Sequence, residues 1–97
     1  MVKELEEYKK LLEKNDIPYQ ICSDALRDGI RVDKDDLIFT CINGLGTYGG
    51  VSPACKGHNA GLLEFWCWEY EDPIGWLTGK EAFQMLADKL KLSDIKW

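Results

Sequence analysis

Cys55-Lys56-Gly57-His58 carries the C-x-x-H spacing that can hold two zinc ligands, or place a thiol beside the imidazole that activates it. A structural zinc site needs four ligands. The other cysteines, Cys22, Cys41 and Cys67, fall singly, with no paired spacing to supply the rest. His58 is the only histidine, and no residue near it in the chain can orient it as a catalytic base. Cys55 and His58 are therefore the positions a metal would use, but no metal and no cofactor is expected. The carboxylates offer no better chemistry. On one extended strand Glu64 and Glu69 point to opposite faces, so they cannot act as a facing acid and base. The chain reads as a non-enzyme.

What the sequence does offer is a surface. Leu62-Leu63-Glu64-Phe65-Trp66-Cys67-Trp68-Glu69-Tyr70 has the aromatic content of a β-strand and no glycine or proline. Alternation puts Leu63, Phe65 and Cys67 on one face and Glu64, Trp66, Trp68 and Tyr70 on the other. One apolar face is enough for a small core. The second, with three large rings in a row, either lies under a helix or binds something.

Ahead of this strand runs a nineteen-residue connection, Asn43 to Gly61, with six glycines. Loops of that length are functional or disordered, and glycine can expose backbone amides to an anion or a peptide. Tyr48, Gly49 and Gly50 are its candidate contact residues. It lacks the G-K-[ST] ending of a P-loop, and Gly44-x-Gly46 has no following helix to complete a dinucleotide fingerprint.

The elements that must position these residues follow from periodicity. Val2, Leu5, Tyr8 and Leu12 form a helical stripe over 2–14. Short strands are expected at 17–22, 30–32 and 37–42, with Asp28-Gly29 and Asp33-Lys34-Asp35-Asp36 as turns. The strand at 62–70 is the fourth, and Glu71-Asp72-Pro73 ends the sheet. Thr78 and Glu81 make a capping box before a second helix with apolar Phe83, Leu86, Ala87 and Leu90. Leu92, Ile95 and Trp97 form a tail that can fold back. The expectation is one α+β domain over 1–97: a four-stranded antiparallel sheet in α-β-β-β-β-α order, both terminal helices on one face.

Composition bounds the partners. Apolar residues at 45% and charged residues at 30% are those of a globular domain. The charged N-terminus has no apolar stretch of a secretory kind, so a cytoplasmic location with free, mostly buried thiols is expected, and no membrane partner. A net charge of −5 repels a phosphate backbone, so direct nucleic-acid binding is not expected. Acidic clusters at 33–36 and 69–72 read as solvated turns, or as a surface that docks on a basic partner.

Ile17-Pro18-Tyr19, Tyr48-Gly49, Gly61-Leu62-Leu63-Glu64 and Gly75-Trp76-Leu77-Thr78-Gly79-Lys80-Glu81-Ala82-Phe83 are similar to phrases in a group of small proteins from Firmicutes and their prophages. Here Gly50 to Ala60 is inserted between the second and third phrases. The resemblance implies a mobile-element origin. With acidity, small size and surplus Trp and Tyr, it leads to the expectation of a protein-binding inhibitor of a host protein, such as a CRISPR component. Alternatives are a nucleotide or other small-molecule module built from the aromatic row and glycine loop, and a homodimer without a ligand.

Overall fold

The computed structural model describes residues 1–53 and 56–97. Its elements are α1 (Lys3–Lys14), β1 (Gln20–Ile21), β2 (Arg27–Lys34), β3 (Leu37–Gly44), β4 (Leu63–Cys67), β5 (Ile74–Leu77) and α2 (Gly79–Leu90). The strands form one antiparallel meander in the order β1-β2-β3-β4-β5. The α+β class with terminal helices agrees with the sequence reading, but the sheet has five strands, not four. The missed strand, β5, follows directly on Pro73. Proline cannot donate to a ladder, so it marks the start of an edge strand as readily as the end of a sheet.

Two turns explain further differences. Asp35 and Asp36 both adopt left-handed backbone, with φ of 55° and 63°. That is the two-residue hairpin whose twist matches its strands, and it needs residues tolerant of positive φ. The tight turn lets β2 and β3 pair over eight residues each, from Arg27↔Gly44 to Lys34↔Leu37. Asp28-Gly29, read as a turn, therefore lies inside β2. The strand expected over 17–22 shrinks to Gln20–Ile21, because Ile17 is held at the end of α1 by its amide bond to Leu12 O, 2.9 Å.

One face of the sheet presents Ile30, Val32, Phe39, Cys41, Leu63, Phe65 and Cys67, all buried. Leu5, Tyr8, Leu11 and Leu12 of α1 and Ala82, Phe83, Leu86 and Ala87 of α2 complete the same core. Both helices thus lie on one face, side by side. They meet at Gly79, where Glu4 Oε1 accepts the Gly79 amide at 2.8 Å. The capping box forms as expected: Thr78 Oγ1 accepts from Glu81 N, and Glu81 Oε1 accepts from Thr78 N. The Thr78 bonds lower the Glu81 pKa. The tail folds back, with Leu92 and Ile95 against the core and the Trp97 ring edge-on to Phe83 at 5.5 Å. Lys14 Nζ and Asn15 Nδ2 donate to the carbonyls of Trp97 and Lys96, tying the tail to the end of α1.

Two groups in this core titrate abnormally. Burial raises the Tyr8 and Cys41 pKa values well above their ordinary ranges, with Cys41 adding to the effect on Tyr8 and Glu64 adding to that on Cys41. Tyr8 Oη also has no hydrogen-bond partner among the described residues. In an unfolded chain these groups release protons near pH ~8.5 for thiol and ~10 for phenol. The folded state holds its protons to higher pH, so stability is full below that range and falls as pH rises through it. Denaturant titrations at pH 8 and pH 10.5 should show the loss. Tyr8→Phe should flatten the slope while leaving stability at pH 8 equal or higher, since the deleted hydroxyl has no partner among the described residues. A steeper slope in Tyr8→Phe would refute this account.

Candidate functional site

The helices leave the opposite face of the sheet uncovered. Register places Arg31, Thr40 and Trp66 across it in one row, Asp33 and Ile38 in the next, and Gly29, Ile42 and Glu64 on the other side. Ile38, Ile42 and Trp66 are half-buried there with no helix above them. This is the outcome that makes the Trp66 side a surface and not core.

The aromatic row itself does not form. β4 stops at Cys67, and Trp68-Glu69 turns the chain. Trp66 stays on the open face, its indole donating to Tyr70 O at 3.2 Å. Trp68 stands 55% exposed beyond the strand, with its amide bonded to Ile38 O. Tyr70 crosses to the other side and packs edge-on to Phe65, ring centroids 6.2 Å apart. Lys89 of α2 lies over its ring at 5.1 Å while bonding Glu69 at 3.1 Å. Tyr70 is thus a prop between sheet and helix, its hydroxyl pKa raised mainly by burial. The strand rule assigns faces correctly only while the strand lasts, and here it ends three residues early.

The glycine-rich connection is not an open, amide-exposing loop over its described residues. Val51 bridges to Leu45 on one side and Asn59 on the other. Thr47 Oγ1 donates to Gly44 O and accepts from Gly44 N, closing a buried turn. Buried Asn43 donates to Leu62 O at 2.8 Å and exchanges side-chain bonds with Asn59. Gly49 and Gly50 are buried packing positions, so neither offers its amide to a ligand: Gly50 N bonds Thr47 O. Tyr48 is 54% exposed, held from beneath because Glu64 Oε1 accepts its amide at 3.0 Å. Glu64 lies on a strand flanked by β3 and β5, so it does not guard a sheet edge. It anchors the loop.

Sequence reasoning missed Trp76. Two residues of β5, Gly75 and Trp76, stand opposite Glu64 in a bulge, between the pairs Leu63↔Leu77 and Phe65↔Ile74. Trp76 takes φ 60°, which a bulky side chain adopts only at a cost of about 1–3 kcal/mol. Its amide donates to Tyr48 O at 3.1 Å, and the ring is 46% exposed. Bulges at sheet edges re-aim side chains. Here the bulge presents an indole beside Tyr48. The available signal was Pro73-Ile74-Gly75-Trp76, an apolar run broken by glycine.

Among the described residues, reactive groups are not gathered at one place. Cys41 and Cys67 are buried in the core, while Cys22, expected in a strand, is exposed. Cys55 lies outside the described residues, so its pairing with exposed His58 has no structural account. Among the described residues no group of three or more His, Cys, Asp or Glu side chains could hold a metal ion. A hollow of about 330 Å³ beside the loop is lined by residues such as Asp24, Arg27, Asn43 and Asn59, without an aromatic ring. Among the described residues, no helix is long and apolar enough to cross a membrane. Comparison with family models, curated proteins and solved structures gives no match to this chain.

Proposed function

We propose that this chain is a small non-enzymatic binding protein that engages another protein through the open face of its sheet. The observation carrying this reading is the pair of exposed indoles, Trp68 and Trp76, at opposite ends of a helix-free face that also holds half-buried Trp66, Ile38 and Ile42. Trp and Tyr dominate binding hot spots, because a rigid ring buries much area at little entropic cost. A strained backbone that displays an indole to solvent has no role in packing the core. The hollow beside the glycine loop has no aromatic ring among the described residues that line it, which favours a protein partner over a nucleotide or other small ligand.

The resemblance to prophage proteins points to a host protein as the target, with a defence component such as CRISPR as the specific case. Immobilised wild-type chain and a Trp68→Ala/Trp76→Ala variant, exposed to a lysate of the cell of origin, separate the readings. The expected result is a protein retained by the wild type and lost at least tenfold in the variant, each indole carrying ~2 kcal/mol or more. Equal retention by both would sink the proposal. Light scattering tests the homodimer alternative directly.

A further inference from the structure

We infer that the occupant of the open face is a basic protein surface, seated on Trp68 and held by the carboxylates of two turns. This rests on the protein-binding reading above and names its partner's chemistry.

The two acidic clusters are far apart in sequence, yet the fold brings them to one end of the sheet. β2 and β3 join there at Lys34↔Leu37, and β4 leaves there at Phe39↔Cys67. The Asp35-Asp36 hairpin and the Glu69–Asp72 turn therefore flank the same corner, with Trp68 between them, tied to Ile38 O at 3.2 Å. Some of the charge is already answered: Arg31 pairs with Asp33 at 2.7 Å and Lys89 with Glu69 at 3.1 Å. Asp35, Asp36, Glu71 and Asp72 are exposed and make no ion pair among the described residues, with Lys34 beside the hairpin.

That arrangement selects its occupant by charge. An arginine can stack its guanidinium on the Trp68 indole while its neighbours fork onto the carboxylates. Arginine gives up its hydration more readily than lysine, which suits a half-apolar seat. A nucleic acid or an anionic membrane would be repelled by the same carboxylates. A second copy docking by this face would set acidic rim against acidic rim. A basic protein surface alone meets both the ring and the charge.

The test uses the full chain labelled with ¹⁵N and three nonapeptides: oligo-arginine, oligo-glutamate and an uncharged Gly-Ser repeat. Oligo-arginine should move the indole N–H signals of Trp66 and Trp68, leaving Trp76 nearly still, and the other two peptides should move none. Affinity should fall about tenfold in D35N/D36N/E71Q/D72N, and again as salt rises from about 50 mM to about 500 mM. Asparagine tolerates the left-handed backbone of the hairpin, so this variant should fold, with circular dichroism to check it. Trp68→Ala, which leaves every carboxylate in place, should weaken binding as well.

Three results overturn the inference: no indole shift with oligo-arginine, undiminished affinity in the charge variant, or shifts centred on Tyr48 and Trp76. If the lysate experiment still yields a partner lost with the two indoles, only the basic chemistry fails. If it yields none, the binding reading fails with it.

Discussion

Phe65→Ala is expected to lower the stability of this domain by about 3–5 kcal/mol, the range for emptying a large ring from a packed core. Domains of this kind hold ~5–15 kcal/mol in total, so the variant sits at the edge of unfolding. Phe65 is fully buried at the middle of β4, the strand between β3 and the β5 edge. Its ring stacks on Phe39 at 6.1 Å and meets the edge of Tyr70 at 6.2 Å. Tyr70 in turn carries Lys89 of α2, so the cavity would loosen sheet and helix together. Equilibrium urea unfolding, followed by circular dichroism, measures the loss. A midpoint change equivalent to less than ~1 kcal/mol would show that the core collapses around the gap. Trp66→Ala, one residue along and on the open face, should cost far less, because its ring is only half-buried. The contrast between neighbours is the alternation of the strand expressed as energy.

The same alternation shows how far the sequence could be read. Period two along Leu63, Phe65 and Cys67, and the helical stripes of Leu5, Tyr8, Leu12 and Phe83, Leu86, Ala87, sort core from surface correctly, because burial on one face is what those patterns record. The Thr78–Glu81 capping box was equally legible, being local chemistry within four residues. Legibility fails where tertiary contacts decide. Nothing local says that β4 ends at Cys67: that follows from Tyr70 finding Phe65 and Lys89 across the fold. Nor does a run of glycines reveal that it is packed. Gly49 lies against Leu62, which follows it by thirteen residues, and Gly75 lies against Tyr48 across the sheet edge. Trp76 was hidden for the same reason. Its left-handed backbone depends on a bulge opposite Glu64, and a bulge is a property of paired strands.

Gly50→Ala puts the packed reading of that loop at risk in a single atom. A methyl group there would fall inside contact distance of Thr47 Oγ1 and the Gly44 carbonyl, and 2.7 Å from Gly44 N. Two of these are backbone atoms, which cannot swing aside as a flexible side chain could. The turn that Thr47 closes onto Gly44 must open, and the Val51 amide bond to Gly44 O, 2.8 Å, goes with it. The expected cost is about 2–3 kcal/mol, the upper part of the range for overpacking a filled site. A flexible, solvated loop would instead gain ~0.4–1 kcal/mol from the same change, because alanine restricts the unfolded chain more than glycine does. The two readings of this connection therefore predict opposite signs, and one urea titration decides between them. The consequence for the surface follows from position. Tyr48 hangs between Glu64 and Trp76 by its amide and carbonyl, so a displaced 44–50 turn pulls at both ends of that link. If the loop is the scaffold for the Tyr48–Trp76 end of the open face, Gly50→Ala should shift the Trp76 indole signal and leave that of Trp68, at the other end of the sheet, in place.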